Sequence, residues 1–216
     1  MPRFFDPDGP FSTAMNQICQ LFILNVLWLV CCLPIFTIGA SCAALYSVLF
    51  KMRDDKGVKV ARLFFRGFRE NFKRGTAVWL VLLAAAVVCW LDFQVAGQTE
   101  GSLKSVFTVI AMAGLQVVAM VFTFAFPLVA RYENPWRVQL KNALLLAISH
   151  APRLLLSWLP WAFAILITFF SANTLYSMLL IWILIGYAAL SYITLWTLTP
   201  VFRKLEPAEE EETEEV

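Results

Sequence analysis

The chain has one histidine, no C-x-x-C pair among its five cysteines, and four stretches of 17 to 49 residues without a charged side chain. The first two shortages exclude chemistry. His150 stands beside Pro152 with no second histidine and no nearby cysteine, so it reads as an interfacial imidazole and not as a metal ligand. Cys19, Cys31, Cys32, Cys42 and Cys89 all lie in apolar runs, where a free thiol packs as a small apolar group; neither a zinc site nor a disulfide framework is supported. There is no H-E-x-x-H pattern and no serine and lysine arrangement, so a membrane enzyme would have no visible nucleophile, base or ligand set. No catalytic role, metal or other cofactor is expected.

The third shortage, of charge, decides the fold class. The uncharged runs are Gly9–Phe50, Gly75–Leu91, Ser105–Ala130 and Leu154–Phe202, of 42, 17, 26 and 49 residues. A helix crossing a bilayer needs about 20 apolar residues, so these runs hold two, one, one and two spans. A composition that is 60% hydrophobic, with 19 Phe and 8 Trp, carries more apolar surface than one soluble core of this size can hide. The expectation is an all-α polytopic membrane protein with a single domain over residues 1–205. Its spans are placed at about 14–33, 38–52, 76–95, 105–130, 154–170 and 176–199, which leaves no length for a soluble catalytic domain.

Acidic residues are also scarce outside one place, since seven of the fifteen lie in residues 206–216, EPAEEEETEEV. This low-complexity tail repels itself and lacks apolar residues, so it is expected to be disordered. Without it, seventeen basic residues face eight acids. Those basic residues sit beside apolar spans, which points to the positive-inside rule and not to nucleic acid. With Lys104 alone on the outer side and sixteen on the other, both termini are expected in the cytoplasm and the chain in the bacterial cytoplasmic membrane.

The most informative stretch is KVARLFFRGFRENFKR, Lys59 to Arg74. On a helical period, Val60, Ala61, Phe64, Phe65, Phe68 and Phe72 share one half, and Lys59, Arg62, Arg66, Arg69 and Lys73 the other. This predicts an amphipathic basic helix on the inner membrane surface, able to bind anionic lipid or a partner. Gly67 in its middle weakens it by about 1 kcal/mol relative to Ala, which a contact must offset. A second basic segment runs from Arg131 to Arg153, with Arg137 and Lys141 on one helical face.

Within the spans, Asn16, Gln20, Asn25 and, on the fourth, Gln116 are the polar side chains that interhelical hydrogen bonds or a polar pathway would use. Pro34 ends the first helix, and Thr37 is placed to satisfy a freed backbone group in an uncharged turn assigned to the outer leaflet. Ala40, Ser41, Ala43, Ala44 and Ser47 give the second span a small-residue face, expected to pack on the first helix. Span two to span three faintly echoes span four to span five, Arg74 and Trp79 matching Arg153 and Trp158.

The stretch NVLWLVCCLPIFTIGASCAALYSVLFKM resembles the N-terminal signature of the YesL-like family, with Asn25, Pro34, Thr37, Gly39, Ala44 and Tyr46 in its pattern. The resemblance continues through FFRGFRENFK, with Phe64, Phe68 and Phe72, then FPLVARYEN and LKNALLLAISHAPR; the acidic tail departs from it. It implies a six-helix bacterial membrane protein of unknown activity, often encoded near carbohydrate ABC transporters and two-component regulators. An ABC permease or sensor kinase is then the expected partner beside the lipid bilayer, with no functional residues to carry over. An accessory or regulatory role competes with a small-solute transporter; the oligomeric state is not legible.

Overall fold

A computed structural model describes residues 10–54 and 58–203. The acidic tail expected from the sequence lies outside the described residues. All regular structure among the described residues is helical. The α-helices are α1 (Pro10–Cys31), α2 (Ile38–Asp54), α3 (Val60–Gln98), α4 (Ser102–Arg131), α5 (Trp136–Ser149), α6 (Ala151–Thr168), α7 (Ala172–Ile181) and α8 (Tyr187–Phe202). A 3-10 turn, Ile35–Thr37, precedes α2, and a π-helical turn, Trp182–Gly186, joins α7 to α8 without a break. Six of the helical stretches are long and apolar enough to cross a membrane: α1, the 3-10 turn with α2, α3, α4, α6, and α7 with α8.

Helix ends follow local chemistry. α1 stops before Pro34, and the turn behind it is closed by Thr37, whose hydroxyl lies 2.6 Å from the Cys31 carbonyl and 2.7 Å from that of Pro34. The hydroxyl serves the backbone groups left open where the ladder ends, as the sequence suggests. α6 takes Pro152 in its first turn, where a missing N–H costs nothing. At the start of α7 the Ser171 N–H donates to Thr174 Oγ1 at 2.8 Å.

Two features depart from the sequence reading. The basic segment is no separate helix: α3 runs unbroken for 39 residues, a rise of about 58 Å against a hydrocarbon thickness of about 30 Å. Its basic turns and its apolar turns are one rigid rod. The small-residue face of α2, expected against α1, meets α3 through Gly39, Ala40, Ala44 and Ser47. A Cβ built on Gly39 would lie 2.2 Å from the Gly75 carbonyl oxygen, and one on Gly67 would lie 3.2 Å from Ser47 Cβ. Gly39 and Gly75 face each other where the backbones come closest, and Gly67 makes room for Ala44 and Ser47 of α2.

The chain packs as two compact units: Met1–Leu29, Val48–Ala61 and His150–Val216 form one, and Val30–Ser47 with Arg62–Ser149 the other. In the first, the fully buried Asn25 of α1 donates to the Trp182 and Ile183 carbonyls at 3.1 and 2.8 Å and accepts from the Ala188 N–H at 2.9 Å. A π-turn shifts the hydrogen-bond ladder by one residue and strands backbone groups, which this amide satisfies. Around it, Trp28 stacks on Tyr187 at 3.8 Å, and Trp161 lies edge-on to Tyr187 at 5.4 Å. The two indole N–H groups donate across the unit, Trp161 to Thr194 at 2.9 Å and Trp182 to Thr168 at 3.0 Å. Near the end of α8, Arg53 donates to Thr199, and Phe50 meets Phe202 edge-on at 5.7 Å.

In the second unit α3 and α4 form an antiparallel hairpin. Arg74 reaches Tyr132, Trp79 packs on Phe122 at 6.4 Å, and a Cβ on Gly114 would lie 2.6 Å from Cys89 Sγ. α5 turns back on the end of α4 through Gln139, fully buried, which donates to the Tyr132 carbonyl at 2.6 Å and the Leu128 carbonyl at 3.4 Å.

Candidate functional site

The first four turns of α3 carry most of the residues singled out in the sequence. Lys59, just before the helix, and Arg62, Arg66, Arg69 and Lys73 on it are all exposed. Arg66 donates to Glu70 at 2.8 Å, an i,i+4 pair whose hydrogen bond pushes the guanidinium pKa upward. Both partners are more than half exposed, so water screens the pair and it contributes little to stability. Lys59, Arg62, Arg69 and Lys73 have no hydrogen bond or ion pair among the described residues, which leaves a row of cations free to meet an anion. Beside the row lies an open depression of about 480 Å³ lined by Phe68, Arg69, Glu70, Phe72, Lys73 and Arg74.

The aromatic face differs from the expected one. Phe64 is fully buried, Phe68 and Phe72 are half-buried, and Phe65 is 54% exposed. The three on one side form a ladder, with centroids 6.3 Å apart for Phe64 and Phe68 and 5.6 Å for Phe68 and Phe72. The stripe that is buried runs Val60, Phe64, Gly67, Asn71, Gly75, Val78, Leu82. Hydrophobicity alone draws the eye to the phenylalanines, but the helix presents its small residues to α2 and keeps two rings at the flank.

Sequence reading missed Asn71, Arg74 and Gln139 as one polar junction. Asn71, 4% exposed, donates to the Gly67 carbonyl at 3.0 Å and to Ser47 Oγ at 3.5 Å. Arg74 donates to Asn71 Oδ1 at 3.3 Å and to the Tyr132 carbonyl at 3.4 Å, with Glu133 at 3.8 Å. A cation and an amide at the carboxyl end of α4 complement its terminal carbonyls. The signal was present: Asn71 interrupts an otherwise apolar or small stripe, and Arg74 is the last charge before the uncharged run.

On α5, Arg137 and Lys141 are exposed, and the Arg137 guanidinium lies 5.1 Å from the Trp136 ring centroid. The polar side chains of the spans do not behave alike. Asn25 is buried and committed to the π-turn, Gln20 is half-buried, and Asn16 and Gln116 are exposed on the outer faces of α1 and α4. Among the described residues no cluster of three or more His, Cys, Asp or Glu could hold a metal ion.

Comparison with known proteins agrees with the motifs. Residues 21–93, covering the second half of α1, all of α2 and most of α3, match the family described as "Protein of unknown function, DUF624". The chain is 24% identical over 147 residues to the "Uncharacterized protein YesL" of Bacillus subtilis (strain 168), covering 64% of this chain and 68% of that protein. No solved structure matches the chain. From Asn25 through the Pro34 turn to the basic turns of α3, the chain is similar to this family of unknown function, and over a longer stretch to YesL.

Proposed function

We propose that the protein is an accessory or regulatory component of the bacterial cytoplasmic membrane, docking a carbohydrate-uptake permease or a sensor kinase through the basic face of α3. The observation that supports this is the row Arg62, Arg69 and Lys73, exposed and without partners among the described residues, on a helix that extends beyond any bilayer. Rigid presentation removes the ordering cost that a flexible basic segment would pay on binding. In this reading the basic turns of α3, the helix α5 and the end of α8 face the cytoplasm, as the distribution of Lys and Arg requires. It assigns no catalytic step to the chain.

The π-turn favours a second reading, a small-solute transporter, because interrupted spans with committed polar side chains are where transporters bind substrate. Against it, the outward-facing Asn16 and Gln116 do not line a path.

Purification from native membranes in mild detergent tests the choice. The accessory reading expects a permease or sensor kinase to co-purify and to be lost on charge reversal of Arg62, Arg66 and Arg69. A homogeneous particle alone would overturn it, and solute flux in liposomes would then decide for the transporter.

A further inference from the structure

Of the six apolar helices, α2 is the odd one. Within its apolar window 67% of the residues are buried, against 11 to 28% for the other five. Ala40 and Ser41 through Leu45 are fully buried. A helix that is apolar and covered all round is a core helix whether or not it stands at membrane depth, so its depth has to be read from what it packs against.

What covers it sets its depth. Gly39 and Ala40 lie against Gly75, and Ala44 and Ser47 against Gly67, so α2 runs antiparallel to the basic turns of α3 and not beside its apolar turns. The apolar turns from Gly75 onward are paired with α4, through Trp79 with Phe122 and Cys89 with Gly114. The hairpin of α3 and α4 is therefore the part of this unit with membrane length on both strands; from Gly75 to Gln98 α3 rises about 36 Å. The turn before α2 sits at its basic end, because Trp79 Nε1 donates to the Ile35 carbonyl at 2.7 Å.

Were α2 a span, the level it occupies would hold Arg69, Lys73 and Arg74 on the adjacent helix, at about 2.5 to 3.5 kcal/mol for each charge in hydrocarbon. The uncharged turns of α3 and α4 would then stand in water. Both costs vanish if the hydrocarbon begins near Gly75.

We propose that α2 does not cross the membrane: it is the buried strut of a two-helix prong, α2 with the first four turns of α3, standing on the cytoplasmic side. The chain then crosses five times, through α1, α3, α4, α6 and the continuous α7 and α8. α1 enters from outside, and its amino-terminal end lies on the face opposite the end of α8. The exposed Leu33, Ile35 and Phe36 of the turn dip into the inner leaflet, not the outer one. The prong rises about 22 Å from Gly75 to Val60, so Arg62 and Arg66 clear a headgroup layer of about 5 to 8 Å and address the acidic surface of a cytoplasmic protein. That last consequence rests on the accessory reading; the crossing number does not.

Single cysteines in the full-length chain, with the native five replaced by Ala or Ser, test it by labelling with a membrane-impermeant maleimide. Ser12→Cys at the start of α1 should label on intact cells together with Glu100→Cys. Arg62→Cys should label only in inverted vesicles, and Leu33→Cys should stay unlabelled on intact cells. Labelling of Leu33→Cys on intact cells with Ser12→Cys protected would restore six crossings and overturn the proposal. If the cysteine-free chain does not fold, a protease-cleavable tag ahead of α1 in the otherwise native chain gives the same answer: cleavage on intact cells supports five crossings, and cleavage only in inverted vesicles supports six. Neither result depends on whether a partner is ever found.

Discussion

Gly39→Ala is the sharpest test of the packing. The added methyl carbon would lie 2.2 Å from the Gly75 carbonyl oxygen and 2.4 Å from Trp79 Cβ, atoms that cannot rotate away. Normal contact between carbons lies near 3.5 to 4.0 Å, so α2 must part from α3 by about 1 Å. Overpacking of this kind costs about 1 to 3 kcal/mol. The same displacement stretches the 2.7 Å bond from Trp79 to the Ile35 carbonyl, worth about 0.5 to 1.5 kcal/mol. The helix-propensity gain of Ala over Gly, up to about 1 kcal/mol, offsets part of this, leaving a loss of about 2 kcal/mol. In detergent that corresponds to a Tm lower by roughly 4 to 8 °C. Gly97→Ala is the control, because nothing lies within 4 Å of a Cβ there, and it should hold or slightly raise Tm. The close approach of α2 and α3 is refuted if Gly39→Ala melts at or above the parent, or if both variants fall alike.

Asn25→Leu keeps the volume but strands two carbonyls and one N–H at the π-turn, so it should cost about 2 to 4 kcal/mol and speed amide exchange at Ala188; unchanged exchange would show the turn stands without its clamp. Arg74→Ala should destabilise by about 1 to 2 kcal/mol through the junction with Asn71 and Tyr132, whereas Arg69→Glu should leave stability within about 0.5 kcal/mol while abolishing partner capture. If both variants melted alike, the division into structural and surface cations would be wrong. Glu70→Gln removes one exposed ion pair and should leave the thermal melt unchanged; a clear fall in Tm would show that the pair is structural.

Charge and hydropathy along the chain were enough to establish that it is helical and that it carries six membrane-length apolar stretches. These are properties of single segments, governed by the cost of placing a charge or an open backbone group in lipid. Pro34 and Thr37 could likewise be read locally, because a cap involves only its neighbours. What the apolar stretches do with their faces could not. Hydrophobicity grouped Phe65 with the buried Phe64, passed over Asn71 and Gly75, and could not say which contact Gly67 needs, because it measures transfer from water and not how near two backbones can come. The continuity of α3 through its basic turns, the π-turn held by Asn25 from 157 residues away, and the pairing of α2 with charged turns exist only once helices meet. Segment composition says which helices lipid would accept; tertiary contact decides which of them protein has already covered.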